Sequence, residues 1–269
     1  SRGLLFCKKS EFERAVDDFT RAIQSKPGSA DAHYNRALAF QKLDKFEMSI
    51  NDYTQAVKLN PSHFQAYNNR GLVYRDIKLF RKAITDFDKS IALKPDLADA
   101  YWNKALTHLM IGDYENAWKY YEHRWESPNF TSPVRDFSKP LWLGQVNLKG
   151  KTILLHSEQG LGDSIQFCRY IKKFKTMDCT TFLEIERPLI RIMKCLLPKE
   201  QIFEKGSKLP EFDFHCPLLS LPLAFGTTFD SVPYPRPYLS SKSDRLIWWR
   251  KRLGAKTKPR IGLVWQGNS

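Results

Sequence analysis

Long apolar runs are missing from these 269 residues. No stretch reaches the roughly 18 apolar side chains that a membrane-crossing helix needs, so no membrane span is expected. Cysteine is scarce and follows no pattern. Cys7, Cys168, Cys179, Cys195 and Cys216 form no Cys-x-x-Cys pair and have no histidine at zinc-finger spacing. This argues against a disulfide framework and a structural metal, and suits free, buried thiols in a cytoplasmic protein. No secretory leader is visible and no initiator Met is present. No RNP-like aromatic strand, helix-turn-helix or zinc finger supports a nucleic-acid partner.

Acidic residues are short in one half only. Residues 128–269 hold 23 of the 43 Lys and Arg but only 12 of the 29 Asp and Glu, so most of the +14 net charge sits there. Such an excess attracts nucleotide phosphates, nucleic acid or an acidic partner, or simply keeps exposed helix faces soluble.

What is present first is a period. Pro27, Pro61 and Pro95 recur at one constant interval, and the residues between them repeat in step. Ala32, Ala66 and Ala100 align, as do Asn35, Asn69 and Asn103, then Ala37, Gly71 and Ala105, then Phe46, Phe80 and Tyr114. Each unit reads as two amphipathic helices, for example Ala30 to Leu43 and Phe46 to Leu59. The small residues mark a close helix crossing, and Pro ends the second helix because it lacks an N–H and disfavours helix in the residue before it. A fixed period of about 34 residues with these features is similar to the tetratricopeptide pattern, in which neighbours must stack to bury one apolar face. The repeats are expected over 1–127, one partial and three full. Asn35, Asn69 and Asn103 lie on the first helix of each pair, which lines the groove of such solenoids. Their amides offer both donors and an acceptor to an extended protein or peptide segment, or to neighbouring helices. Tyr120, Tyr121 and Trp125 are expected to dock the last repeat onto the α/β segment.

After Trp125 the chain loosens into a linker, 128–147, with Pro and aromatic residues. Alternating signals then begin. Strands are expected at Thr180 to Ile185 and Thr152 to His156, weaker ones at Gln201 to Phe203 and Phe212 to His215, and helices near Pro188 and at Asp244 to Leu253. This alternation reads as an α/β layer with a parallel sheet over 148–240. The last residues, 241–269, read as a linker helix and a further strand, Arg260 to Trp265, that opens a second α/β domain. The chain therefore reads as a fragment cut at both ends.

Between the first strand and its helix lies Glu158-Gln-Gly-Leu-Gly-Asp163. A helix N-terminus offers unpaired N–H groups, and glycines let a ligand approach the backbone. The dinucleotide fingerprint fails at its third glycine, where Ile165 stands, although Glu184 is at a tolerable distance for the ribose. The plain structural reading is a tight turn whose helix is capped by Asp163 or Ser164.

The ordered series Gly112-Asp-Tyr-Glu-Asn-Ala-Trp118, Pro140-Leu-Trp142, Leu148 to Asp163 and Gly262-Leu-Val-Trp-Gln-Gly-Asn268 resembles bacterial tetratricopeptide proteins fused to a heptosyltransferase-like (family nine) glycosyltransferase. The resemblance implies an α-solenoid followed by a Rossmann-like domain, the first half of a B-type glycosyltransferase fold. It implies an inverting transferase that needs no metal and no cofactor, with a nucleotide sugar as donor substrate. Asp163 matches the proposed catalytic base. Gln159, Gly160, Gly162, Gln166 and Arg169 would hold the acceptor, and Gly267 and Asn268 would lie on the donor side. The alternative is a tetratricopeptide scaffold for protein–protein interaction, with an inactive or incomplete transferase domain.

Overall fold

The computed structural model describes residues 2–233, 237–241 and 243–255. The expected strand Arg260 to Trp265 and the donor-side pair Gly267 and Asn268 lie outside the described residues. The chain divides into two compact units. The first comprises residues 1–146 together with Leu219–Val232, and the second comprises Asn147–Leu218 and 233–269.

The first unit is a helical solenoid of four helix pairs among the described residues. Its helices are α1 (Arg2–Lys8), α2 (Phe12–Ser25), α3 (Ala30–Lys42), α4 (Phe46–Leu59), α5 (Phe64–Asp76), α6 (Phe80–Leu93), α7 (Ala98–Met110) and α8 (Tyr114–Tyr121). Each pair is tied by one close crossing. A Cβ on Gly71 would lie 2.7 Å from the Phe87 ring, and one on Gly3 would lie 2.8 Å from Phe19. In the second and fourth pairs Ala37 and Ala105 fill that position, in register with the buried rings of Tyr53 and Tyr121. The turn inside each pair needs one left-handed residue. The repeat supplies Ser10, Asp44, Lys78 and Gly112 there, one per period and all at positive φ. This is the helix C-terminal geometry that glycine adopts without strain. Neighbouring first helices (α3 with α5, α5 with α7) approach each other more than neighbouring second helices do. The first helices therefore line the inner side of the curve.

The sequence-based boundaries place residues 219–232 in the α/β segment, but they pack with the repeats. A solenoid end must cover its last apolar face. Here Trp118 donates its Nε1–H to the Thr227 carbonyl at 3.1 Å, and the fully buried Arg124 donates to Ser220 Oγ at 2.8 Å. The short helix α12 (Leu221–Ala224) sits in this return segment. Gly144 is required there: at φ 91°, its Cβ would meet the Ala224 carbonyl oxygen at 2.2 Å. The three aromatics expected to dock the last repeat have ring partners inside this unit. Tyr120 lies beside Tyr101 and His108, Tyr121 packs edge-on to Trp118, and Trp125 packs edge-on to Phe130.

The second unit is a small parallel sheet with helices. Its strands are β1 (Thr152–His156), β2 (Thr180–Ile185), β3 (Ile202–Glu204) and β4 (Phe214–Pro217), in the order β3-β2-β1-β4. All pairings are parallel, with Leu154 opposite Phe182 and Leu155 opposite Cys216. Ile153, Leu154, Leu155, Leu183 and Ile185 are fully buried, as expected for strands covered on both faces. The helices are α9 (Leu161–Phe167), α10 (Ile171–Phe174), α11 (Arg187–Met193) and α13 (Ser243–Leu253). Gly150-Lys-Thr152 leads into a strand rather than a helix, which excludes a phosphate loop there.

Candidate binding face of the repeats and the glycine turn

Charge first orders the repeats. Arg2, Arg36, Arg70 and Lys104 recur once per period, and so do Asp18, Asp52, Asp86 and Tyr120. Arg36 reaches Asp52 with two hydrogen bonds of 2.6 and 2.8 Å, and Thr20 of the preceding repeat at 3.0 Å. Arg70 repeats this with Asp86 and Thr54. Burial works against the Arg70 charge, yet the Asp86 carboxylate outweighs it and the guanidinium titrates above its ordinary value. In the last repeat the arrangement is permuted. Lys104 pairs at 2.7 Å with Asp88, which stands where the earlier repeats have Thr, and its ammonium lies 4.1 Å from the centre of the Tyr120 ring. This ladder ties each repeat to the one before it. Sequence reasoning missed it, although the period carries it.

On the inner face a second, neutral line runs across the repeats. Asn69 Nδ2 donates to the Tyr34 hydroxyl at 3.0 Å, Asn68 Nδ2 donates to Asn69 Oδ1 at 3.2 Å, and Asn103 Nδ2 donates to Asn68 Oδ1 at 3.2 Å. Asn35 Nδ2 donates to its own helix at the Asp31 carbonyl, 2.7 Å. All three sequence-predicted amides are half-buried. Asn35 and Asn103 keep their Oδ1 free of protein donors among the described residues. Asn68, overlooked in the sequence, is the link between two of them. Burial pushes the Tyr34 hydroxyl up, against the opposing effect of the Asn69 hydrogen bond.

The chain itself covers the far end of this face. Asp99, in the first turn of α7, accepts a hydrogen bond from Ser127 Oγ and one of 2.9 Å from Asn129 Nδ2. The Phe130 ring packs edge-on to Trp102, with centroids 5.6 Å apart.

In the second unit, the glycine turn lies directly after β1. Asp163 caps its helix, because its Oδ2 accepts the Gly160 N–H at 3.1 Å. Its Oδ1 has no partner among the described residues. Gly160 is extended, with φ −74° and ψ 169°. A Cβ on Gly162 would meet nothing within 4 Å, and one on Gly160 would make only ordinary contact. The local fold therefore needs neither glycine. Gln159 is half-buried and Gln166 is exposed. Arg169 is already engaged: it donates to the Gln166 carbonyl at 2.8 Å and to the Tyr238 hydroxyl at 3.2 Å, and lies over the Tyr238 ring. The turn is braced by Glu186, which sequence reasoning did not single out. Glu186 accepts from Ser157 at 2.7 Å and Ser164 at 3.4 Å, and pairs with Lys205 at 3.2 Å. Glu184, whose distance from the turn suited a ribose ligand, is fully buried and accepts the Gly206 N–H at 3.0 Å, a structural role. Away from this turn, Pro188, Arg191 and Ile192 of α11 face Arg245, Leu246 and Trp249 of α13 across a cleft of about 460 Å³.

Comparison with known proteins agrees with the helical half. Tetratricopeptide repeat models match residues 30–63, 64–97 and 98–123, and a TPR repeat model matches 3–44. Residues 3–123 are tetratricopeptide repeats. Protein FlbA of Caulobacter vibrioides is 23% identical over 177 residues, 59% of this chain and 30% of FlbA, so the chain spans less than a third of that relative. A crystal structure of MamA is 26% identical, with a TM-score of 0.44 over 45% of this chain and 71% of MamA. The second TPR domain of human RPAP3 in complex with the HSP70 peptide SGPTIEEVD is 31% identical, with a TM-score of 0.39 over 39% of this chain and 88% of that domain. The first TPR of Spaghetti (RPAP3), bound to the HSP90 peptide SRMEEVD, is 25% identical, with a TM-score of 0.40 over 41% and 87%.

Proposed function

We propose that this chain is a protein-recognition module whose repeats hold an extended partner segment on their inner face. The observation that carries this reading is the amide line Asn69, Asn68, Asn103, with Asn35 beside it, across consecutive repeats. Asn68 and Asn69 each donate one side-chain hydrogen bond and accept another, while Asn35 and Asn103 are each fixed by one donated bond and retain an acceptor oxygen. Fixed acceptors at repeat spacing suit backbone N–H groups of an extended chain, and they recognise it independently of its sequence. The test is to select peptides from a random-sequence library on the whole chain and measure their affinity by fluorescence anisotropy. Replacing Asn35 and Asn103 together by Ala should weaken the selected peptides by about tenfold or more. Unchanged affinity would overturn the reading.

A second reading has its own observation. The turn 160–163 lies at the carboxyl end of β1, next to β4, in a parallel sheet of order β3-β2-β1-β4. That order is the one of the first half of a Rossmann-like sheet, and ligands of such sheets collect outside the carboxyl ends where strand order reverses. Two glycines that the fold does not require, beside a carboxylate with one oxygen open, suit an acceptor hydroxyl at Asp163. On this reading the second unit is the acceptor half of a heptosyltransferase-like glycosyltransferase that uses a nucleotide sugar, and the repeats present a protein acceptor. Asp163 would take the acceptor proton. Asp163→Asn keeps the cap, since Asn caps about as well. A loss of sugar transfer on the order of 10²-fold with the fold unaltered would support the base. Transfer that survives the change would leave Asp163 as a cap alone.

A further inference from the structure

The repeat period turns one occupied position into a prediction for an open one. Asp99 and Trp102 on α7 stand two periods after Asp31 and Tyr34 on α3. Both acids lie in the first turn of their helices, and both aromatics lie three residues on. At α7 the pair is taken by the chain's own segment. Ser127 and Asn129, two residues apart, give their donors to the two oxygens of one carboxylate, and Phe130 lays its ring against Trp102. The segment is held in shape by its own turn, with the Asn129 N–H on Ser127 Oγ at 3.1 Å.

At α3 the carboxylate is open, and the half-buried Tyr34 ring packs only on Tyr53 and His63 among the described aromatic residues. The Asp31 side chain is 86% exposed, and its only neighbour of opposite charge character among the described residues is His63, at 3.6 Å. His63 packs against Tyr34 at a tilt of 36° with centroids 4.6 Å apart, is 8% exposed, and has a buried Nδ1 without a hydrogen-bond partner among the described residues.

We propose that Asp31 and Tyr34 form a docking site for an extended partner segment that presents a hydroxyl and an amide two residues apart, followed directly by an aromatic ring. The segment 127–130 shows the chemistry on the equivalent position. The inference rests on the reading of the repeats as a peptide-binding face and names what that face prefers. The exposed Asp31 carboxylate in the first turn of α3 repels acidic segments, so the partner carries neutral donors rather than Asp or Glu at those positions.

The probe is a fluorescein-labelled synthetic peptide, Ser-Pro-Asn-Phe-Thr-Ser-Pro, added to the whole chain and followed by anisotropy. Saturable binding is expected. Asp31→Ala, a change at an exposed side chain that leaves the fold intact, should weaken it by about tenfold or more, and so should replacing the peptide's Phe by Ala. An Asp-substituted peptide at the Ser and Asn positions should not bind. The proposal is overturned by the absence of saturable binding at millimolar peptide, or by binding that ignores Asp31→Ala. If library peptides bind through Asn35 and Asn103 but lack the donor-x-donor-aromatic pattern, this proposal falls while the broader reading stands.

Discussion

In the middle repeats Arg36 and Arg70 grip Asp52 and Asp86, each on the second helix of its own repeat. In the last repeat the acid has moved to the preceding helix, where Asp88 meets Lys104, and an aromatic ring, Tyr120, occupies the vacated place. The two arrangements keep one cation at one register position and supply it with neutralisation from different sides. They differ in burial. Asp86 has a side chain 7% exposed, whereas that of Asp88 is 53% exposed. The period therefore specifies where charge must be balanced, not which residue balances it. Where the balancing group is buried, the pair is expected to matter most.

The largest effect should come from the close crossings that hold each pair together. Phe87 is fully buried against Gly71. Phe87→Ala should cost about 3–5 kcal/mol, because it leaves a cavity beside a backbone that cannot fill it. Thermal unfolding of the variant measures this directly. A cost below about 1 kcal/mol would mean that the helices close up and the crossing is not fixed by the ring.

The charge comparison can be broken next. Arg70→Ala leaves the Asp86 carboxylate buried without its partner and should cost about 3–5 kcal/mol. Lys104→Ala leaves a half-exposed Asp88 and should cost less than about 1 kcal/mol. Equal costs in denaturant titrations would show that burial is not what separates the two. Transplanting the last repeat's solution sharpens the point. Arg70→Lys with Thr54→Asp and Asp86→Tyr should recover most of what Arg70→Lys alone loses.

A smaller loss is expected at the end of the solenoid. Trp118→Phe keeps an aromatic ring but removes the donor to the Thr227 carbonyl, at a cost of about 1 kcal/mol. Faster hydrogen exchange within residues 219–232 should accompany it. Exchange that stays unchanged there would mean that other contacts hold the return segment.

That segment marks the limit of what could be read from the chain. The ends of α4, β1 and β2 coincide with the spans read from periodicity and apolar runs, and β4 is displaced by two residues. These elements are fixed by their own sequence. The return of 219–232 to the repeats is not, because its anchor joins residues 109 apart and nothing near Thr227 points to Trp118. The site was legible in the same uneven way. Asn35, Asn69 and Asn103 stood out as identical residues in one register. Asn68 and Tyr34 did not, since their positions change residue type from repeat to repeat. Asp163 was placed at its turn by the glycines around it, while Glu186, which braces that turn, lies beyond the end of the next strand and has no local pattern.

The turns between paired helices offer the finest form of the comparison between repeats. Lys78 and Gly112 occupy the same left-handed position, at φ 63° and 78°. A Cβ in this region costs an L-residue about 1–2 kcal/mol, and glycine avoids that cost. Glycine also gains freedom in the unfolded chain, which offsets part of the benefit. Lys78→Gly should therefore stabilise the chain by up to about 1 kcal/mol. The Lys78 side chain is exposed and takes part in no hydrogen bond or ion pair among the described residues, so little else is removed. Gly112→Ala should act in the opposite direction by about the same amount, because the added Cβ finds room, 3.9 Å from Phe229, and only the backbone is strained. Paired thermal unfolding of the two variants reads both signs. A drop in stability for Lys78→Gly would mean that the lysine stem contributes packing along the turn greater than the strain it carries.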